Sequence, residues 1–209
     1  LIEWIRKSQN LSKYDFIILP GSKQTIKDQI FLENSGLSQD IREYSKNNGH
    51  IIGICGGLQM LGTLLEDPFF KEGSQTLKEQ KIRGIGLLPL KTTFIEKKLT
   101  RQISSESLWP CQSKINGFEI HNGQTELDST QNSLKINPIF KDINLGWYKE
   151  NNKGGTIAAT YIHGIFENDI WRDQYINLIR KGKNLPILNK KSISYKIKRE
   201  SIIESLFIL

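Results

Sequence analysis

The 209-residue sequence predicts an α/β fold, a doubly wound, mostly parallel sheet with flanking helices. Three observations carry this expectation. DFIILP (15–20) and HIIGI (50–54) are short, unbroken apolar runs that stop at glycine or proline or a small-residue turn, as strands buried on both faces do. Each is followed by a segment with helical apolar spacing. A third run, GGTIAATYIHGIF (154–166), opens on turn glycines and leads into the amphipathic stretch 168–182.

Taken in order, residues 1–9 (LIEWIRKSQ) place Leu1, Ile2 and Ile5 near helical spacing. Residues 15–20 form the first strand. The spacing then predicts a helix over 22–36 closed by Gly36, and a second over 38–48 with Ser38 as its N-cap. Residues 50–54 are the second strand, and QMLGTLLE (59–66) has helical spacing. The middle of the chain is less regular. LLPL (87–90), GFEIH (117–121), SLKIN (133–137) and LGWYKE (145–150) read as strands, partly an antiparallel excursion. In 168–182, Ile170, Trp171, Tyr175, Leu178 and Ile179 are expected to share one buried face. Residues 183–191 form a basic linker and 192–209 a terminal helix. The domain organisation expected is therefore 1–182 as one domain and 183–209 as linker plus helix.

Composition excludes several classes. Hydrophobic residues are 37% and charged residues 24%, as in globular chains. No apolar stretch approaches the roughly 18 residues of a membrane span. Residues 1–19 carry Glu3, Arg6, Lys7, Lys13 and Asp15 and have no signal-peptide core. Two cysteines are too few for a disulfide scaffold, so a cytoplasmic location is expected. No metal-binding spacing such as CxxC or HExxH occurs. The net charge of +7 suits an anionic partner. The basic residues are scattered apart from 180–199, and no recognition motif accompanies them, so no nucleic-acid partner is expected.

HIIGICGGLQMLG (50–62) is the most informative string. A buried strand meets Cys55 at a turn, with Gly53 and Gly57 around it and a helix after it. This is the G-x-nucleophile-x-G elbow, in which flanking residues must be small so that the backbone can bend and a substrate can approach. Its geometry favours a thiolate, and the Gly56 N–H becomes a natural oxyanion donor. The plain alternative is a small buried structural cysteine. Cys111 has no such setting. A thiol nucleophile needs a base. His50 begins the same strand, about five residues away at roughly 3.3 Å each, which is too far. His163 ends a predicted strand at the same carboxyl edge as Cys55, where active sites of open α/β sheets form. His121 stays open between a substrate contact and a solvated strand-end histidine.

With these residues placed, four segments in order carry a resemblance. GICGGLQMLG is similar to the nucleophile elbow of class I (triad-type) glutamine amidotransferases, a flavodoxin-like fold. TYIHGIFEN (160–168), LPGSKQTIKDQIFLENSGL (19–37), and IRGIGLLPLKTTF (82–94) followed by NGFEIHNGQT (116–125) resemble segments of its cobyric-acid-synthase branch. The resemblance implies a glutaminase with Cys55 and His163 in catalysis. It implies oxyanion donors at Gly56 and near Gly21–Ser22, and glutamine binding by Gln59 and Ser22. Position 165 is Ile where the wider class carries an orienting glutamate. The third triad member is thus open, with Glu119 and Glu167 as candidates and His121 beside them as a substrate or orienting residue.

The resemblance also implies partners. L-Glutamine would be the ammonia source. ATP and Mg would sit on a synthetase domain preceding this one, since no GxxxxGK[ST] loop occurs here, and no cofactor is expected on this domain. Ammonia would form amides on side-chain carboxylates b, d, e and g of a corrinoid, adenosylcobyrinic acid a,c-diamide. The chain starts at Leu, and the strand expected to open such a domain is not in it, so a truncated N-terminus is expected. Two other readings stand beside this one. The first is the glutaminase subunit of lipid II amidation, and the second a non-catalytic module that kept the fold.

Overall fold

A computed structural model describes residues 1–72, 80–131, 135–151, 154–188 and 194–206. Its centre is a parallel trio. β1 (Ile17–Leu19) pairs with β2 (Ile51–Ile54), and β2 pairs with β9 (Thr156–Thr160), both in parallel. Ile51, Ile52, Ala158 and Ala159 have no exposed surface, which is why β2 and β9 are continuous apolar runs; β1, expected to be buried on both faces, lies at the sheet edge instead and leaves Ile18 41% exposed. β8 (Gly146–Glu150) and β7 (Asn137–Pro138) extend the sheet antiparallel, giving the order β1-β2-β9-β8-β7.

The expected class holds, but its parallel part is narrower than the sequence suggested. A second sheet, β10-β6-β5-β3-β4, is antiparallel except for one pair. Its body is a long hairpin of β5 (Leu90–Ser107) and β6 (Ser113–Leu127), whose register shifts between Phe94 and Leu99. β3 (Leu64–Glu66) lies parallel to β5, with β4 (Lys81–Arg83) beyond it. β10 (Ile162–His163) pairs with β6 at Glu119 and Phe118. The second sheet thereby meets the first directly over the carboxyl ends of β2 and β9.

The helices follow the pattern with local corrections. α1 (Thr25–Asn34) and α2 (Leu37–Lys46) are present. Ser38 does not cap α2. The N-cap is Gly36 at φ 80°, and Ser38 is fully buried inside the first turn. Residues 1–9 form no helix, and Trp4 is 80% exposed, so the spacing there had no face to bury. The helix expected over 59–66 is displaced. α3 spans Gly56–Leu61 and stops at Gly62, and the Thr63 N–H is taken by Leu90 O at 2.7 Å. Pairing with β5 thus captures Leu64–Glu66 as a strand.

Leu87–Pro89 form a turn, held by the Leu87 and Leu88 N–H groups on Leu61 O, and only Leu90 of LLPL is strand. Of SLKIN, residues 133 and 134 lie outside the described residues and Asn137 begins β7. Part of the expected basic linker, 189–191, also lies outside them.

α4 (Asp169–Gly182) packs on the trio through Trp171, Tyr175 and Ile179 at i, i+4 and i+8. Ile170 is not on that face and is 64% exposed, because one residue turns the helix by about 100°. Trp171 stacks on Tyr175, and its indole N–H donates to Trp109 O at 2.9 Å, tying α4 to the tip of the hairpin. α5 (Tyr195–Leu206) buries none of its residues. None of the described helices is long and apolar enough to cross a membrane.

Candidate active site

The site forms where β2 ends. Cys55 is the hinge between β2 and α3, at φ 52° and ψ −107°. A non-glycine residue with positive φ is strained, and surrounding bonds must hold it there. The Cys55 N–H donates to Thr160 O at 2.8 Å, and the Cys55 carbonyl accepts from the Gln59 N–H at 3.1 Å. The glycines explain how closely the turn is packed. A Cβ on Gly57 would collide with Leu19 O, and one on Gly53 would lie 2.5 Å from Gly57 O. A Cβ on Gly56 would fall 2.8 Å from Ser22 N. The first residues of α3 are therefore pressed against the turn after β1.

The Sγ of Cys55 donates to Ile120 O on β6 at 3.4 Å. His163 Nε2 lies 3.3 Å from the same oxygen. One carbonyl thus collects thiol and imidazole. Because a carbonyl only accepts, its contact with His163 is made by an Nε2–H. Gly21 completes the wall: a Cβ there would sit 3.6 Å from His163 Cε1 and 3.7 Å from Cys55 Cβ. Burial pushes the Cys55 thiol up to about 11, against the Gly56 N–H, which favours the thiolate. Glu72 adds to the rise and Lys98 opposes it.

The other predicted residues are near but differently employed. Gln59 is neither exposed nor aimed outward. Its Oε1 accepts from Thr25 Oγ1 at 3.2 Å and its Nε2 donates to Tyr161 OH at 3.1 Å. The Ser22 hydroxyl donates to Asp28 and accepts from the Gln24 N–H, so its side chain serves the start of α1. Glu119 is buried, with Oε2 on Arg101 and Oε1 on His121 at 2.8 Å. His121 also faces Gly123 O through Nδ1 at 2.6 Å and stacks on Tyr161 with ring centroids 3.8 Å apart. Glu119 makes no hydrogen bond to His163 among the described residues. Glu167 pairs with Arg199 at 3.5 Å and lies against Gly164. His50 is at the opposite end of β2, bonded to Thr156, as strand length required.

Sequence reasoning missed Tyr161, Thr25, Glu72 and the Ile120 carbonyl. Tyr161 OH bonds Thr125 Oγ1 at 2.6 Å as well as Gln59, and joins α1, α3, β5 and β6 through Thr25, Gln59, Thr92 and Thr125. Its place two residues before His163 was the only available signal. A backbone carbonyl has none in sequence. Among the described residues no three His, Cys, Asp or Glu side chains are grouped to hold a metal ion.

Comparisons with known proteins bear on the family and the fold. The family model of the CobB/CobQ-like glutamine amidotransferase domain matches residues 1–171. The chain is 84% identical over 206 residues to a protein named cobyric acid synthase from Prochlorococcus marinus strain MIT 9312, covering 99% of this chain and 40% of that protein. It is 44% identical over 205 residues to the one of that name from strain NATL2A, with 98% and 40% covered. The chain thus spans about two-fifths of the length of these curated relatives. A solved structure titled as a crystal structure of glutamine amidotransferase superposes with a TM-score of 0.56 at 14% identity, over 87% of this chain and 85% of that one. That likeness concerns the fold.

Proposed function

The chain belongs to the CobB/CobQ-like glutamine amidotransferase family, and from that premise we propose that it hydrolyses glutamine at Cys55 and passes the ammonia to an amide-forming reaction. The observation that carries the reading is the convergence of Cys55 Sγ and His163 Nε2 on the carbonyl of Ile120, at the strained elbow.

The buried thiol is neutral at rest. Glutamine entering the pocket displaces the shared contact with Ile120 O, and the imidazole then takes the Nδ1–H tautomer, which frees the Nε2 lone pair to act as base. Sγ attacks the carboxamide carbon and its proton passes to Nε2. The developing oxyanion accepts N–H bonds from Gly56 and from the Gly21–Ser22 turn, each worth about 3 kcal/mol of barrier. His163 returns the proton to the nitrogen, the C–N bond breaks and ammonia leaves. A water deprotonated by His163 then cleaves the thioester, releasing glutamate and restoring the thiol. Glu119, with His121, braces β6 behind the carbonyl of Ile120. Gln59 fixes α3 relative to α1, and so supports the glutamine pocket from beneath.

The name carried by the relatives supports a corrinoid acceptor. Ammonia would amidate carboxylates b, d, e and g of adenosylcobyrinic acid a,c-diamide, activated by ATP and Mg on the part of the polypeptide that the relatives have beyond this region. Replacing Cys55 by Ala in the full-length protein is expected to abolish glutamine-dependent amidation and to leave ammonia-dependent amidation. Survival of the glutamine-dependent reaction would remove Cys55 from the role of nucleophile.

A further inference from the structure

Glu72 ends the described part of the loop after β3. The loop's backbone is held by Asp67, whose two oxygens accept the Lys71 and Glu72 N–H groups at 2.8 Å. Glu72 Oε2 accepts the N–H of Thr25, the first residue of α1, at 2.9 Å. Thr25 Oγ1 lies 3.2 Å from the position of a Cβ on Gly56. A single residue therefore separates this carboxylate from the amide beside the thiol.

Neighbouring Lys71 is drawn to Glu96 on β5 at 3.0 Å, and Glu72 has no ion pair among the described residues. Its hydrogen-bond partners among the described residues are the N–H and the hydroxyl of Thr25, both neutral. Burial, with Asp67 and Asp28 close by, raises its carboxyl above the ordinary range. A half-buried carboxylate among like charges is unfavourable until a cation arrives. Glutamine brings one. Its ammonium is four bonds, roughly 5 Å, from the carboxamide carbon.

We propose that Glu72 is a specificity residue, holding the α-ammonium of glutamine while the carboxamide lies at Cys55. This rests on Cys55 being the nucleophile, and the test keeps the two claims apart. The full-length protein is treated in turn with 6-diazo-5-oxo-L-norleucine, which carries glutamine's amino-acid head, and with iodoacetamide, which does not. Glu72→Gln keeps an oxygen for the Thr25 N–H and removes the charge.

The variant is expected to label at Cys55 about 10- to 100-fold more slowly with the diazo reagent, the range for one charge-assisted hydrogen bond. Iodoacetamide should label it as fast or faster, because removing a negative charge near the thiol favours the thiolate. KM for glutamine should rise by a similar factor with kcat nearly unchanged. Equal slowing with both reagents would mean that Glu72 only shapes the loop and would overturn the proposal, as would unchanged labelling by the diazo reagent. Labelling of the unsubstituted protein at a residue other than Cys55 would overturn the nucleophile itself, and the proposal with it.

Discussion

Gly57 and Gly21 both border Cys55, yet they are glycines for different reasons. At Gly57 a Cβ would run into the backbone oxygen of Leu19, an atom fixed by the β1–β2 pairing. At Gly21 a Cβ would meet His163 and Cys55 at ordinary van der Waals distances, 3.6 and 3.7 Å. Gly57→Ala is therefore expected to lower unfolding stability by about 2–3 kcal/mol in urea denaturation, the cost of overpacking against backbone. Gly21→Ala should fold within about 0.5 kcal/mol of the parent. It should lose glutamine turnover while keeping ammonia-dependent turnover, since its methyl group occupies space between thiol and imidazole. A folded, fully active Gly21→Ala would show that substrate does not approach from that side. The elbow was legible because Gly53, Cys55 and Gly57 fall within five residues and the Gly53–Gly57 approach is local, although the Leu19 oxygen that Gly57 meets is not written there. The employment of Gln59 was not, because its partners Thr25 and Tyr161 lie 34 and 102 positions away. Glu72 was invisible for the same reason: its meaning depends on which helix start it reaches.

Among the elements, the parallel strands were readable and the β5–β6 hairpin was not. β2 and β9 are buried on both faces, so their composition alone marks them, while β1 is an apolar run at the sheet edge with Ile18 41% exposed. β5 is 18 residues long, and Glu96 to Gln102 are all exposed. With neither face covered over that length, it shows no two-residue alternation, and its partner β6 supplies the only reason for its extended form. The hairpin nevertheless carries Ile120, and its attachment to the trio runs through Tyr161. The Tyr161 hydroxyl accepts from Gln59 and bonds Thr125, in a fully buried setting. Tyr161→Phe leaves the Gln59 Nε2 and one hydroxyl short of a partner. An expected loss of about 1–3 kcal/mol in unfolding free energy follows. Because the tie joins β6 to α3, glutaminase activity should fall by more than the folded fraction does. Full activity at reduced stability would separate the brace from the site.

On the scale of the whole molecule, the parallel trio, α4 and the hairpin share one core, and α5 stands outside it. Trp171, Tyr161, Tyr175, Phe140 and Trp109 belong to one buried cluster, reached from β7–β9, α4 and the hairpin tip. α5 buries no residue, and its ties to that body among the described residues include the Tyr195 N–H on Asp169 Oδ1 at 2.9 Å, the Ser194 hydroxyl on the same carboxylate and the Arg199–Glu167 pair. Both Arg199 and Glu167 are about half exposed, and such surface pairs contribute about 0–1 kcal/mol. Deleting 194–209 is accordingly expected to cost only about 1–3 kcal/mol, the loss of exposed hydrogen bonds to Asp169 and of one exposed ion pair. Trp171→Ala, which empties the centre of the core, should cost about 3–5 kcal/mol. The two are compared by denaturant unfolding of the full-length protein. The chain covers two-fifths of its relatives' length, and Ile197, Ile202, Ile203 and Leu206 are exposed on α5. If the deletion proved as costly as Trp171→Ala, those residues would have to be covered by the rest of the longer polypeptide, and the separation of 183–209 from the domain would fail.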